Sequence, residues 1–337
     1  MSKALVVCGP TATGKTDLGI HLIKSLSLGK KGNVGEIISV DSRQVYRQMD
    51  IGTGKDLPVR AKFIFPDDSL KKKGIGCYVV EGVRIWGYDL VSPDKDFSVG
   101  DYLRKAIPIV KSILRRKKIP VLVGGSGLYL KALVDGIQTA FIPRDNNLRE
   151  FLSSFSTEEL FEKLAQLDPE KSASLNLSDR KNPRRLIRAI EIAQWQMRNF
   201  GKNLSPKLPW SKETQFLFIG LFAPLSFLKQ KIRKRVYKRM SMGFEGEVEA
   251  LIKAGISWSF HSMDTLGYKN IKRYIEGEIK KSQMIKSWIN DEFSYAKRQM
   301  TWFKKDKRII WFDVSFTNYK KEVEKLVKDW YYNDINL

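Results

Sequence analysis

The most informative segment of the chain is KALVVCGPTATGKT, residues 3–16. A short apolar run comes first, and a loop framed by Gly9 and Gly14 follows it, ending in Lys15 and Thr16 before an amphipathic segment. This order of strand, loop and helix is typical of a phosphate-binding P-loop, whose backbone N–H groups turn inward around one anion. Lys15 adds a positive charge, and the Thr16 hydroxyl can bind Mg²⁺. The segment therefore predicts binding of a diphosphate or triphosphate.

Short apolar runs typical of buried strands recur along the chain, and helical patterns lie between them. The predicted strands are residues 4–8, 36–41, 120–124, 216–222 and 309–313. Alternating strands and helices predict an α/β fold, a P-loop NTPase-like parallel sheet flanked by helices. Ligands of such sheets gather at the carboxyl ends of the strands. Asp41 and the turn at 124–127 thus join the P-loop as candidate site residues.

Two segments interrupt this core. Residues 143–212 show no strand pattern and predict an inserted helical subdomain, with residues 158–167 and 182–198 as its clearest helices and 202–212 as the returning linker. The core then comprises residues 1–142 and 213–337. Residues 56–100 contain a predicted hairpin that turns at Glu81-Gly82, to which the sequence assigns no function.

The chain is strongly basic, with 60 Lys and Arg against 37 Asp and Glu, a net charge of +23 over 337 residues. Such an excess favours a polyanionic partner, nucleic acid before an acidic membrane, over a merely solubilising surface. The longest apolar run, 216–228, is too short to span a bilayer and contains Pro224. Cys8 and Cys77 form no zinc or disulfide pattern. We therefore expect a cytoplasmic protein with no membrane segment.

Two candidate side chains keep several interpretations. Asp41 could hold a metal ion, act as a general base, or cap the following turn. Ser126, within Gly124-Gly125-Ser126-Gly127, could present its hydroxyl to a ligand or serve as a helix N-cap.

Basic residues cluster in three places. An apolar stripe at Leu228, Ile232, Val236 and Met240 predicts a helix surrounded by positive charge without any acid, which favours phosphate contact over a solvated face. A second cluster lies on the predicted inserted helix. In the third, at 295–303, bases mix with aromatic side chains that could stack on RNA bases or belong to the core. The basic residues of the first two clusters are Lys229, Lys231, Arg233, Lys234, Arg235, Lys238 and Arg239, and Arg184, Arg185 and Arg188.

Together these segments resemble the bacterial tRNA dimethylallyltransferases, also called tRNA isopentenyltransferases. The matching strings follow the family's order through almost the whole chain, and DSRQVYRQMDIGTGK is far more specific than the P-loop. They are GPTATGKT at 9–16, DSRQVYRQMDIGTGK at 41–55, VGGSGLYLKALVDG at 123–136, RRLIRAIEI at 184–192, RKRVYKRMSMGFEGEVEAL at 233–251, LGYK at 266–269 and YAKRQMTWF at 295–303.

The resemblance implies transfer of a dimethylallyl group from dimethylallyl diphosphate to N6 of adenosine 37, beside the anticodon, in tRNAs that read codons beginning with U. It implies catalytic roles for Asp41 as general base, Ser126 and Lys15, and binding of Mg²⁺ by Thr16. The implied diphosphate-binding residues are Gly9, Pro10, Thr11, Ala12, Thr13, Gly14, Lys15, Thr16 and Arg235.

The resemblance also implies that the anticodon stem-loop of tRNA is the partner, and we expect a monomer. The residues implied to contact tRNA are Asp41, Ser42, Arg43, Gln44, Ser126, Arg149, Arg184, Arg185, Leu186, Ile187 and Arg188. The chain departs from the family pattern at 86–89, where a pair of histidines is usual, and at 261–264. These departures do not touch the P-loop or Asp41.

Three other functions compete with tRNA prenyl transfer. A P-loop kinase or NTPase could use the same loop and Asp41 for metal-dependent phosphoryl transfer. A related prenyltransferase of free adenylate would need no basic surface of this extent. A non-catalytic RNA-binding module would explain the charge and leave the P-loop without a purpose.

Overall fold

A computed structural model describes residues 2–58, 61–200, 202 and 204–333, with the backbone alone at Asn333. Val59 and Arg60, within the 56–100 segment, and Asn203, within the predicted linker, lie outside the described residues. The chain divides into two compact units, Met1–Asp135 with Leu208–Leu337, and Gly136–Lys207. We call them the α/β unit and the helical unit. The helical unit thus begins and ends earlier in the chain than the segment 143–212.

The strands and helices alternate as expected. The strands are β1 (Lys3–Cys8), β2 (Gly35–Ser39), β3 (Lys62–Ile64), β4 (Cys77–Val80), β5 (Val83–Trp86), β6 (Ile119–Gly124), β7 (Gln215–Phe222) and β8 (Ile309–Asp313). The helices are α1 (Lys15–Leu26), α2 (Asp68–Lys71), α3 (Val99–Arg115), α4 (Gly127–Val134), α5 (Asn146–Ser153), α6 (Thr157–Leu167), α7 (Pro169–Ser174), α8 (Leu177–Arg180), α9 (Pro183–Arg198), α10 (Leu225–Ser241), α11 (Phe244–Lys253), α12 (Leu266–Ile275), α13 (Lys281–Phe303) and α14 (Tyr319–Asn333), with a 3₁₀ turn at His261–Asp264.

The α/β unit is built on an eight-stranded sheet in the order β3-β4-β5-β2-β6-β1-β7-β8. In the stretch β5-β2-β6-β1-β7-β8 every neighbouring pair is parallel. The pairs β3-β4 and β4-β5 are antiparallel. The five strands expected from the sequence are confirmed, as is the hairpin, β4 and β5, turning at Glu81-Gly82. Near-continuous apolar strands such as β1 are buried because helices cover both faces of a parallel sheet. Leu18 and Leu22 of α1 pack in this core.

The helical unit holds its own small core, in which the buried residues include Leu152, Leu160, Leu164 and Leu186. Helix starts there are well defined, since Ser156 and Glu159 form a reciprocal capping box at α6. The helical prediction for this segment is confirmed. Leu186 is completely buried, so its side chain belongs to this core, and a contact between residue 186 and tRNA stays a prediction. Within the described residues, no helix combines the length and the apolar character needed to cross a membrane.

Candidate active site

Three loops that the sequence singled out follow three neighbouring strands. β2, β6 and β1 are adjacent in the sheet and parallel, and they lead into Asp41, the turn 124–127 and the P-loop, respectively. Because parallel strands end at one edge of the sheet, these loops share that edge. The sheet order therefore brings the predicted carboxylate to the same rim as the anion cradle.

The P-loop has a tightly constrained backbone. Gly9 has φ of +135°, and a Cβ atom there would lie 2.3 Å from the carbonyl oxygen of Leu221 on β7, so only glycine fits. Gly14 adopts a left-handed conformation as the N-cap of α1. The Thr13 hydroxyl donates to the carbonyl oxygen of Pro10 at 2.9 Å and holds the loop closed. Ala12 is also left-handed, with φ of +64°, a conformation that costs a non-glycine residue free energy. The loop and the positive end of α1 suit an anion.

Lys15 lies inside this cradle, where its Nζ donates to the carbonyl oxygen of Pro10 at 2.6 Å. Burial and then the positive charge of Arg235 lower the pKa of Lys15 to about 8, against the opposing influence of Asp41. A cation that is costly to keep charged gains most when an anion arrives. Lys15 is therefore suited to bind a diphosphate.

Asp41 begins the loop after β2 and interacts electrostatically with Lys15. Its Oδ1 accepts hydrogen bonds from the backbone N–H groups of Arg43 at 2.8 Å and Gln44 at 3.3 Å, so the turn-capping interpretation is correct. Burial raises the pKa of the Asp41 carboxyl, and those hydrogen bonds and Lys15 offset the rise only in part. Because these bonds fall on Oδ1, capping the turn does not stop Oδ2 from accepting a proton.

Ser126 faces the same loop. Its Oγ accepts a hydrogen bond from the backbone N–H of Ser42 at 3.0 Å, and the Tyr295 hydroxyl lies nearby. It occupies the N-cap position of α4, as one interpretation predicted, but its side chain makes no capping hydrogen bond and is free to face the loop instead. The Ser126 hydroxyl is therefore hydrogen-bonded to Ser42, the residue that follows Asp41.

Arg235 reaches the P-loop from α10. Its Nη1 donates to the Thr11 hydroxyl at 2.7 Å, and its Nη2 donates to the Gly54 carbonyl at 3.1 Å and to Asp56 at 2.9 Å. Arg235 therefore lies beside the loop that would hold the diphosphate, and its contact with diphosphate stays a prediction. Arg239, one turn later, is buried in an ion pair with Glu292 at 2.8 Å, so its membership of a phosphate-facing basic face is wrong.

The other residues of α10 separate into a buried apolar stripe and exposed basic side chains. Val236 and its apolar companions of the stripe, Leu228 and Ile232, are buried as predicted. Five basic side chains are exposed on the other faces, where a polyanion could reach them: Lys229, Lys231, Arg233, Lys234 and Lys238.

Arg43 and Gln44, both implied to contact tRNA, are held by protein groups. Arg43 Nη1 donates to the carbonyl oxygen of His261 at 2.8 Å, so the unusual 261–264 string fixes this arginine. Gln44 accepts from the Ser39 hydroxyl at 2.7 Å and donates to the Gly54 carbonyl at 2.8 Å. Both groups of the Gln44 side-chain amide are thus used within the protein.

The segment 49–55 is fixed by a carboxylate from α11. Glu247 accepts hydrogen bonds from three consecutive backbone N–H groups, of Asp50, Ile51 and Gly52, at 2.7 to 2.9 Å. The Tyr268 hydroxyl donates to the same carboxylate at 2.6 Å. This nest of N–H groups is an anion site that the protein fills with its own side chain.

The hairpin region, which the sequence left without a role, supplies two further partners. Asp89 forms an ion pair with the fully buried ammonium of Lys55, which also contacts Asp50 at 2.5 Å. The Tyr88 hydroxyl donates to the carbonyl oxygen of Lys55 at 3.4 Å and lies near the side chain of Thr16, the candidate Mg²⁺ ligand. The departure from the family pattern at 86–89 therefore reaches the P-loop itself.

In the helical unit the predicted tRNA-contacting arginines are paired with acids. Glu191 forms ion pairs with Arg149, at 2.8 Å, and with Arg188. Burial raises the pKa of the Glu191 carboxyl, but these bonds outweigh that effect and lower the pKa to about 2. Arg185 pairs with Asp179. Arg184, Arg185 and part of Ile187 remain accessible to solvent. A cavity of about 350 Å³ between the start of α5 and the end of α9 includes Arg198 in its lining.

Sequence reasoning missed several residues that organise the site. Gln299 contacts both the P-loop and the turn 124–127, and Tyr295 contacts Ser126. Both belong to the 295–303 segment, which was expected either to stack on RNA or to join the core. Phe303 is buried and Trp302 is 42% exposed, so the core interpretation holds for Phe303 alone. Glu247 and Tyr88 gave no signal beyond their place in or near a family string.

The fold and the site together define an α/β protein with a P-loop-like anion cradle and a neighbouring carboxylate. A family model described as IPP transferase matches residues 44–306. The tRNA dimethylallyltransferase of Thermotoga maritima is 34% identical over 330 residues and 97% of each chain. The chain belongs to the IPP transferase family, and the resemblance found in the sequence is confirmed.

Solved structures agree with this assignment. The full-length tRNA isopentenylpyrophosphate transferase of Bacillus halodurans is 31% identical and superposes with a TM-score of 0.64, over 97% of this chain and 96% of that one. A eukaryotic dimethylallyltransferase acting on tRNA is 21% identical and has a TM-score of 0.73, over 99% of this chain and 80% of that one. At that identity the second structure supports the fold alone.

Proposed function

We propose that this protein transfers a dimethylallyl group from dimethylallyl diphosphate to N6 of the adenosine beside the anticodon, position 37, in tRNAs that read codons beginning with U. The observation that carries the proposal is the placement of Asp41 and the P-loop after strands separated only by β6, with Asp41 and Lys15 coupled electrostatically. An anion cradle beside a carboxylate suits a reaction that releases diphosphate and a proton together.

The diphosphate would occupy the P-loop, residues 9–16. In the transfer, the bond between C1 of the dimethylallyl group and the bridging oxygen breaks, and its electron pair leaves with the diphosphate. Negative charge grows on that leaving group in the transition state, where fixed N–H groups and Lys15 stabilise it most. Arg235, already bonded to Thr11, extends the positive charge on one side of the loop.

Asp41 would act as the general base. The N6 nitrogen forms the new bond to C1, and its surplus proton passes to the Asp41 carboxylate. Burial that raises the pKa of Asp41 makes the carboxylate a better proton acceptor. Ser126, hydrogen-bonded to the Ser42 backbone, would help to orient the amine with its hydroxyl.

A Mg²⁺ ion fits the donors at the start of α1. Mg²⁺ binds few protein ligands and completes its shell with phosphate oxygens and water. Thr16 offers one hydroxyl oxygen beside the cradle, and its contact with Tyr88 orients that side chain. When bound, the ion would neutralise charge on the departing diphosphate.

The tRNA would be the polyanionic partner that the net charge requires. The α/β unit offers the loop 41–44 and the exposed bases of α10. The helical unit offers Arg184 and Arg185 on α9. Arg149 and Arg188, bound to Glu191, would act through their outer surfaces. A monomeric state and a cytoplasmic location stay predictions.

The test is incubation of the purified protein with labelled dimethylallyl diphosphate, Mg²⁺ and bulk bacterial tRNA, followed by digestion and nucleoside analysis. We expect label on N6 of one adenosine per acceptor tRNA, and none with a Lys15→Met variant. ATP-dependent phosphoryl transfer without prenylation would instead establish a P-loop kinase. Label on free AMP but not on tRNA would establish an adenylate prenyltransferase.

A further inference from the structure

One buried side chain connects the two loops of the site. Gln299, on α13, is 5% exposed. Its Oε1 accepts a hydrogen bond from the backbone N–H of Thr11 in the P-loop at 2.8 Å. Its Nε2 donates to the carbonyl oxygen of Gly125, the residue before Ser126, at 2.9 Å.

The chemistry of the two partners fixes the orientation of this amide. A backbone N–H can only donate and a carbonyl oxygen can only accept, so position 299 must present one acceptor and one donor. A carboxylate would place a negative oxygen against the Gly125 carbonyl, and an apolar side chain would leave both buried groups without partners. A Cβ atom on Gly125 would lie 2.2 Å from Nε2, so the turn approaches the amide as closely as glycine permits.

A neighbouring residue on the same helix reinforces the connection. Tyr295 lies one turn before Gln299, on the same face of α13, and its hydroxyl lies near the side chain of Ser126. Two successive residues of the turn, Gly125 and Ser126, therefore lie beside side chains four residues apart on one 23-residue helix, and Gly125 is hydrogen-bonded to one of them. The P-loop is bonded to the same helix through Thr11.

We propose that Gln299 is a positioning residue for prenyl transfer. It sets the distance between the P-loop, where the diphosphate leaves, and the turn that carries the Ser126 hydroxyl beside Asp41. The inference rests on the proposed function for its kinetic consequence. It also implies that the Thr11 N–H is already committed to Gln299, so the N–H groups that bind diphosphate come from later in the loop.

The test compares Gln299→Met and Gln299→Glu with the wild type and with Gln283→Glu, a matched control. Gln283 is exposed on the same helix, and glutamate keeps its acceptor for the Lys280 backbone N–H. For Gln299→Met we expect kcat to fall about 10- to 100-fold, since small misplacements of reacting groups cost that much. The Kd for tRNA should stay within about twofold, because Gln299 is buried.

Gln299→Glu provides the readout that a merely structural residue would not move. A protonated glutamic acid accepts from Thr11 and donates to Gly125, as the amide does, whereas the carboxylate does not. The ratio of variant to wild-type kcat should therefore rise as the pH is lowered from 8 to 5.5. Taking the ratio at each pH removes the titration of Asp41, which both proteins share.

Binding of inorganic pyrophosphate separates this proposal from the proposed function. We expect Gln299→Met to weaken pyrophosphate about tenfold, and Gln283→Glu to leave it unchanged. If the wild type binds pyrophosphate but does not prenylate tRNA, the proposed function fails and the pyrophosphate comparison still decides the role of Gln299. Unchanged kcat and pyrophosphate affinity in Gln299→Met, or a kcat loss matched by the unfolded fraction, would overturn the inference.

Discussion

The two units of the molecule hold their polar side chains in different ways. In the α/β unit, Gln299 bonds to a residue 288 positions away and Arg235 to one 224 positions away. In the helical unit, Arg188 pairs with an acid three positions along its own helix, and Arg185 with one six positions away. The candidate chemistry therefore depends on contacts between distant parts of the chain, whereas these two arginine pairs of the helical unit are local and its Arg149–Glu191 pair spans 42 positions.

This difference separates what substitutions should change. In the α/β unit a lost contact alters the distance between loops from different strands and should appear in kcat. In the helical unit a lost contact alters the surface that would bind tRNA, so the substitution should change the KM for tRNA. Of the four experiments that follow, those on Asp41 and Glu191 test that separation, and those on Lys15 and Ala12 test the P-loop of the α/β unit.

The largest effect is expected for Asp41→Asn. The amide keeps the acceptor for the Arg43 and Gln44 N–H groups but cannot take the proton from N6, so kcat should fall about 10²- to 10⁴-fold. Single-turnover prenylation of tRNA measures this loss. The Kd for tRNA, measured by a filter-binding or gel-shift assay, should change little. A variant with near-normal kcat would remove Asp41 as the base.

The pH dependence of diphosphate use tests Lys15. Because the pKa of Lys15 is lowered to about 8, from an ordinary value of 10.5, the ammonium loses its charge as the pH rises through 8. The value of kcat/KM for dimethylallyl diphosphate should fall above pH 8, by up to about tenfold per pH unit. Lys15→Arg, which stays charged, should abolish this dependence. A flat wild-type profile from pH 7 to 9.5 would show that Lys15 keeps its charge through this range and would contradict the lowered pKa.

Glu191→Gln tests the helical unit. Losing the charge that holds Arg149 and Arg188 should raise the KM for tRNA about fivefold and leave the KM for dimethylallyl diphosphate unchanged, since about 1 kcal/mol is typical of such bonds. The pKa of Glu191, lowered to about 2 from 4.5, adds stability above pH 4.5 that is lost as the pH falls towards 2.

The thermal unfolding midpoint of Glu191→Gln should therefore lie below that of the wild type at pH 7 and approach it at pH 3. A fall in kcat with unchanged KM for tRNA would contradict the separation between the two units.

The smallest effect is expected for Ala12→Gly. Glycine removes the cost of the left-handed backbone at φ of +64°, partly offset by the greater entropy of the unfolded chain, for a net gain below about 1 kcal/mol. Denaturant unfolding measures it. Ala254→Gly, exposed at φ of −79°, is the matched control and should destabilise the protein slightly. A lower midpoint for Ala12→Gly would show that the loop gains from the alanine.

What the sequence could predict follows from the range of the interactions involved. β1, the P-loop and α1 are contiguous, and periodicity and glycine spacing determine them locally, so they were predicted correctly. The hairpin was found for the same reason. The placement of Asp41 near the cradle followed from the rule that ligands gather at strand ends, and the order β2-β6-β1 supports it.

The contacts made by single side chains could not be read from local patterns. Arg239 and Lys238 are adjacent in sequence, but Arg239 is buried against Glu292 on α13 and Lys238 is exposed. Gln299 gave no signal because its two partners lie on loops far away in the sequence. Leu186 was carried into the tRNA-contacting set by its neighbours, although its apolar position in α9 places it in the core.

The buried pair of Lys55 and Asp89 has an evolutionary consequence. Loss of Asp89 would leave the fully buried ammonium of Lys55 with Asp50 from its two acidic partners, and loss of Lys55 would leave Asp89 without its counter-ion, so either neutral replacement made first would be costly. The hairpin end and the GTGK string should therefore covary among homologues, with both charges kept or both lost. Grafting this hairpin into a relative would succeed only if its counter-ion travelled with it.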